Sequence, residues 1–253
     1  MTLARKAARL PSIARDGWRY PALRVRARGE DTAIGALAAL GLPEPELREL
    51  AHEFERVAQR LYEELAETAR EAGDELAATR AAGRSTSSEE GKKLLYVSVR
   101  ALRPRLVVET GPFNGASSTF LLHALEENGG DGRLVSFDVL DARDALDVPI
   151  PEGREPAWLV PHELRHRFEL VLGDTRQTLR RRLEGETVDL FFHDSLHTTR
   201  HMLFEFRVAW RRLRRGGVLV SDDVFWNPAF WLFTRLHRVP FRHIGTMGVT
   251  RKP

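Results

Sequence analysis

The stretch Leu106–Leu125, LVVETGPFNGASSTFLLHAL, decides how the chain is read. A short apolar run, Leu106–Val108, meets an acidic residue and then two glycines four apart, Gly111 and Gly115. An apolar, helix-compatible segment follows. That order reads as strand, tight turn, helix, a junction that gathers helix N-terminal amides and close backbone around a ligand. Glycine serves where a side chain would block the turn or the ligand. The same pattern also fits a βα turn that needs two glycines and binds nothing.

Downstream, the pattern repeats. ENGGDG is a turn cluster, and RLVSFDV a second strand with Asp138 near its C-terminal end. Asp141–Pro161, broken by Pro149, Pro151, Pro156 and Pro161 around Trp158, reads as a loop over the site or a decorated connection. FELVLGD gives a third strand ending at Gly173 and Asp174, with a helix over Thr175–Leu183. VDLFFHDSLH is an apolar fourth strand that delivers His193, Asp194 and His197. A helix over Thr199–Leu213 follows, and RRGGVLVSDDVF supplies a turn and a fifth strand ending at Asp222 and Asp223. Ala229–His237 is helix-compatible, and the tail FRHIGTMGVTRK folds as two short strands. Alternating strands and helices predict a Rossmann-like, mostly parallel sheet covered on both faces, with a final antiparallel hairpin. Ligands of such sheets bind beyond the strand C-termini, where all these acids fall.

Upstream, Met1–Gly29 reads as an irregular arm and Thr32–Leu40 as a short helix. Glu46–Ala72 is the most helical segment, with Leu50, Phe54, Val57, Leu61 and Leu65 on one face. A second helical piece is expected after Gly73. That amphipathic face suggests packing on the main domain or pairing of two subunits into a homodimer. Gly83–Ser88 is a turn-rich break, and Ser87 or Ser88 then caps a helix that runs to about Leu102. The expected organisation is a helical N-terminal extension or cap over 1–86 and a second domain over 87–253.

The 253 residues, 42% hydrophobic, suffice for one sizeable α/β domain with an appendage. The absence of cysteine excludes disulfides, thiolate metal sites and cysteine nucleophiles. No long apolar run or signal peptide is visible, so no membrane partner is expected and a cytoplasmic location is the default. Net charge is only +3, and positive charge is mostly arginine. Without a dense basic run or an aromatic-basic strand, a nucleic-acid target is not expected.

VVETGPFNGASS and FFHDSLHTTRHMLFEFRVAWRRLRRGGVLVSDDV, in this order and spacing, resemble the class I S-adenosylmethionine-dependent methyltransferases. The closest kind is the compact branch with catechol, caffeoyl-coenzyme-A-like and antibiotic sugar O-methyltransferases. The resemblance covers roughly 87–250. It implies that Glu109, Gly111 and Gly115 hold the methionine part of the cofactor, with polar contacts from Asn114, Ser117 and Ser118. It further implies that Asp138 meets the ribose, and Gly173, Asp174 and Thr175 the adenine side. In the metal-dependent branch the corresponding acids are Asp194, Asp222 and Asp223, which would share Mg2+, or else Mn2+ or Ca2+. A hard cation bound there would lower the acceptor hydroxyl's pKa and aim its oxygen. The family's second residue after the fifth strand is often asparagine, where this chain has Asp223. The family's general-base lysine, three residues after the first acid, matches His197, and a histidine there can accept a proton near neutral pH.

The resulting expectation is a divalent-metal-assisted O-methyltransferase acting on a small hydroxylated metabolite, such as a natural-product intermediate. Asp194 and His197 are the catalytic candidates, and Trp158, Phe225, Trp226, Asn227, Phe230 and Trp231 candidate acceptor-pocket residues. One alternative keeps the fold without the metal: an O- or N-methyltransferase with His197 as base. A second is a non-catalytic helical dimerisation protein with a degenerate methyltransferase fold. A third, an NAD-dependent dehydrogenase, lacks its three-glycine fingerprint here and leaves the three aspartates unexplained.

Overall fold

The computed structural model describes residues 30, 32–74, 89–139, 150 and 153–253. The basic arm before residue 30, the helical piece after Gly73, the break at 83–88 and its capping serines lie outside them, as does most of 140–152. Five strands carry the sheet: β1 Leu106–Thr110, β2 Arg133–Asp138, β3 Phe168–Leu172, β4 Val188–His193 and β5 Leu213–Ser221. They run parallel in the order β3-β2-β1-β4-β5. The closing hairpin, β6 Phe241–Ile244 and β7 Met247–Arg251, adds antiparallel through β7 to β5. The order reverses between β1 and β4, so a crevice opens beyond their C-termini.

Alternation along each buried strand splits the core in two. Val107, Leu134, Leu190, Phe192, Val218 and Val220 face α1 Ala33–Ala38, α2 Glu44–Glu71, α3 Glu89–Leu102 and α4 Ala116–Asn128. Val108, Val135, Phe137, Phe191 and Leu219 face the opposite layer. That layer is α5 Thr175–Arg182, α6 Thr199–Arg212 and α7 Ala229–His237. Both faces are therefore covered, as near-continuous apolar strands require.

The long helix α2 buries Leu47, Ala51, Phe54, Ala58, Leu61, Leu65 and Ala69 at helical spacing, and Leu50 and Val57 sit at the margin of that stripe. Alanines at alternate contacts let α2 lie close on its neighbours. The face that suggested subunit pairing is covered within the chain itself. Arg100 of α3 grips Glu53 through Nε at 2.7 Å and Nη2 at 2.9 Å, and the Tyr96 hydroxyl donates to the same carboxylate at 2.6 Å. A bidentate, partly buried pair of this kind fixes direction as well as contact.

The turn expected before β5 is instead part of the strand. Pairing with β4 jumps from Val188↔Leu213 to Leu190↔Val218, so Arg214–Gly217 forms a bulge. Asp189 explains it: Oδ1 accepts from Arg214 Nε at 2.5 Å, and Oδ2 accepts from the amides of Arg105 and Leu106. A Cβ on Gly217 would lie 2.8 Å from the Asp189 carbonyl oxygen. Among the described residues no helix is long and apolar enough to cross a membrane.

Candidate functional site

Each strand end is stitched to the next. Asp194 N–H donates to Thr110 O, Asp222 N–H to His193 O, and Gly173 N–H to Asp138 O, at 2.8–2.9 Å. The backbone at Gly111 and Gly115 must be left-handed, with φ of +81° and +98°. A Cβ on Gly111 would lie 2.2 Å from the Asp194 carbonyl oxygen, and one on Gly115 2.9 Å from Ala157 Cα. The glycines therefore let β1 and β4 converge and let the 153–160 segment pack on the turn.

Above the turn stands a group of carboxylates. Glu109 is fully buried and accepts from the hydroxyls of Ser117, Ser118 and Ser136 at 2.6–2.7 Å. Burial raises its pKa, the three hydroxyls oppose that, and the charge of Asp138 adds to it. Asp138 accepts from the amides of Phe113 (3.1 Å) and Val139 (2.7 Å), and burial pushes its carboxyl up. Asp194 is raised well above the usual carboxylate range, first by burial and then by the charges of Asp222, Asp223, Glu109 and Asp138. Asp223, with φ +50°, is pushed up to about 7 by burial and by Asp222.

The other cofactor-side candidates are differently engaged. Asn114 Oδ1 accepts from Trp158 Nε1 at 2.9 Å, and backbone bonds Ala157 N to Phe113 O and Leu159 N to Asn114 O add to this clasp. Gly173 ends β3 with φ +131°. Asp174 caps α5 through Arg176 N–H and pairs with the Arg176 guanidinium, which holds its carboxyl below the usual range. The Thr175 hydroxyl is spent on Glu205 at 2.6 Å.

Metal assistance, and with it Mg2+, Mn2+ or Ca2+ as a cofactor, is corrected by the side-chain arrangement. Among the described residues no group of three or more His, Cys, Asp or Glu side chains can hold a metal ion. Asp194, Asp222 and Asp223 are near enough to repel one another, but they do not converge on one point. Asp222 Oδ1 turns to the Thr246 hydroxyl at 2.8 Å and the Asp223 amide at 2.7 Å. Asp194 Oδ1 instead lies 3.7 Å from His197 Nε2.

Histidines fill the other side of the crevice. The His197 ring stands 5.3 Å from His193 and 5.6 Å from Trp226, centroid to centroid. Burial lowers its pKa to about 3, and the nearby His193 and His201 outweigh the raising influence of Glu205. A lowered folded pKa means that the unfolded chain binds the proton first. Stability is intact above the unfolded value near 6.5 and is lost as pH falls toward 3. Melting temperature followed across this window should fall less steeply in His197→Gln than in the parent; equal slopes would contradict the assignment.

Behind His197 lies Glu205, fully buried on α6. Its carboxylate takes His193 Nδ1 and His201 Nε2 at 2.7 Å each, the hydroxyls of Thr110 and Thr175 at 2.7 and 2.6 Å, and Ser195 at 3.0 Å. Burial alone would raise its pKa, but hydrogen bonds from the two histidines outweigh that and hold it below the usual range. Sequence reasoning missed this residue and named neither His193 nor His201 as a catalytic candidate. The signal was an acid on the apolar stripe Met202, Phe206, Ala209 of α6, four residues after His201.

The acceptor-pocket candidates do not form one wall. Trp226 is exposed at the rim beside His197, as is Leu196. Asn227 is buried, its Nδ2 donating to His197 O at 3.3 Å and its Oδ1 accepting from Ala229 N–H at 2.9 Å. Phe225 packs edge-on to His243, Phe230 is buried against Phe206 and Phe241, and the half-buried Trp231 stacks under Arg235. Trp158 is buried on the glycine turn.

Residues 108–224 match a sequence family described as a methyltransferase domain. No curated protein sequence matches the chain. Among solved structures, the O-methyltransferase from Bacillus cereus in complex with SAH is similar at 17% identity and TM-score 0.55, over 81% of this chain and 100% of that one. The O-methyltransferase TomG from Streptomyces achromogenes, involved in tomaymycin synthesis and solved with SAM, aligns at 21% identity and TM-score 0.53, over 76% and 90%. The SAH-bound methyltransferase PaMTH1 of Podospora anserina aligns at 16% and 0.53, over 80% and 96%. These structures share the fold. The glycine turn and the crevice between β1 and β4 lie inside the stretch that matches a methyltransferase domain, and the chain shares its fold with these structures.

Proposed function

We propose that the chain methylates a hydroxyl or amine of a small molecule without metal assistance, with His197 taking the acceptor's proton. The carrying observation is the gathering of Glu109, Asp138, Asp194, Asp222 and Asp223 at one edge of the sheet, close enough to raise the pKa of Asp194. Such a cleft suits a cationic ligand and repels an anionic one. S-adenosylmethionine is cationic at sulfur and at its amino group; a dinucleotide pyrophosphate is not. That contrast favours the methyl donor over a nicotinamide cofactor.

When bound, S-adenosylmethionine supplies an electrophilic methyl group. The chain's own residues supply the rest. Gly111 and Gly115 keep side chains out of the turn, and Glu109 and Asp138 answer positive charge and hydroxyls. His197, neutral at physiological pH, offers a lone pair to the acceptor's proton. Trp226 and Leu196 give the acceptor an apolar rim. Residues 1–86 would serve as a helical cap on the methyltransferase domain of 87–253.

The test is methyl transfer from tritiated S-adenosylmethionine to a panel of phenols, sugars and amines. Label should enter at least one small acceptor, and EDTA should leave the rate unchanged. Loss of turnover in EDTA with recovery on adding magnesium would overturn the metal-free reading, and an unlabelled panel the acceptor class.

A further inference from the structure

The proposed proton transfer leaves a difficulty. His197 sits where burial disfavours its cation, so it is a poor place for a proton to remain. His193 stands directly behind it. Among the described residues its Nε2 is buried without a hydrogen-bond partner, and so is His197 Nε2. The rings meet edge to face at 5.3 Å. On its other side, His193 Nδ1 lies 2.7 Å from Glu205 Oε2.

Glu205 decides the tautomer. An ionised carboxylate only accepts, so every group hydrogen-bonded to it must donate. His193 therefore carries its proton on Nδ1, which leaves the lone pair on Nε2. His201 on α6, Thr175 on α5, Thr110 on β1 and Ser195 after β4 complete the shell. Five donors on one buried acid fix its rotamer as well as its charge. This is the logic by which a second residue orients a catalytic imidazole and stabilises its cation.

We propose that Glu205 is the positioning residue of the site, holding His193 as the Nδ1–H tautomer so that Nε2 receives the proton passed on by His197. The inference rests on the methyltransferase reading above. The acceptor's O–H or N–H bond breaks and its electron pair forms the new bond to carbon, while sulfur keeps the pair of the broken S–C bond. The proton goes to one nitrogen of His197, whose other nitrogen releases a proton to His193 Nε2. His193 becomes an imidazolium against the Glu205 carboxylate. Site charge is conserved, because the positive charge lost at sulfur reappears beside a buried anion.

The test reads histidine tautomers by nitrogen NMR in the full-length chain saturated with S-adenosylhomocysteine. His193 should be protonated at Nδ1 and bare at Nε2. Glu205→Gln should lose the single-tautomer signature, and His201→Gln should keep it. In the tritium assay His193→Gln should lower kcat about tenfold or more with little change in the KM for S-adenosylmethionine. Glu205→Asp should recover activity relative to Glu205→Gln. An Nε2–H tautomer in the parent, an unchanged tautomer in folded Glu205→Gln, or an unchanged kcat in His193→Gln would overturn the proposal. Should Glu205→Gln fail to fold, the parent tautomer and His193→Gln still decide it. Failure to bind S-adenosylhomocysteine would instead strike the methyltransferase reading, whatever the tautomer.

Discussion

Replacing His197 by glutamine is expected to lower kcat by about 10²–10⁴-fold, the usual worth of a positioned general base. The KM for S-adenosylmethionine should stay near its parental value, because the proposed role sets His197 against the acceptor, with Trp226 and His193 as its ring neighbours. Glutamine retains polarity and approximate size but cannot accept the proton at a ring nitrogen. The fold should survive, since among the described residues His197 Nε2 has no hydrogen bond to lose and its ion-pair contact with Asp194 is a long 3.7 Å. Steady-state kinetics with the best acceptor of the panel check the split. A raised KM with unchanged kcat would show that His197 only helps binding.

The second large effect is structural. Gly111→Ala places a methyl group 2.2 Å from the Asp194 carbonyl oxygen, at a φ of +81°. Backbone strain of about 1–3 kcal/mol and overpacking of about 1–3 kcal/mol together predict a loss of about 2–6 kcal/mol. Marginal domain stability makes that severe. Gly129 supplies the control, with φ +64° and nothing within 4 Å of an added Cβ. Gly129→Ala should cost only the strain. Urea denaturation of both variants separates the contributions, and equal losses would show that the contact with Asp194 relaxes freely.

The same two residues mark what could be read from the chain alone. Gly111 was legible because a strand–turn–helix junction leaves a local signature. The sheet followed from it, since apolar strands alternating with helices admit few topologies. Element ends were less legible. Asp189 draws Arg214 and two β1-side amides together and turns an expected loop into a bulged strand, a decision made by residues 25 apart.

In the site, the acids at the strand ends could be listed from the sequence, but their aim could not. Asp222 points to Thr246, a partner from the closing hairpin, and this removes the convergence a metal would need. Glu205 was hidden for a related reason. Its value comes from Thr110, Thr175, His193 and Ser195, which reach it from two strand ends and a second helix. Only the local pair with His201 was visible in one segment.

Titration calorimetry with S-adenosylmethionine tests the central claim most directly, that the carboxylate-lined crevice at the Gly111–Gly115 turn holds a cationic methyl donor. The parent should bind, Glu109→Gln should bind more weakly, and Gly129→Ala should match the parent. Absence of binding heat in folded parent protein at saturating S-adenosylmethionine, or undiminished binding by Glu109→Gln, would contradict it.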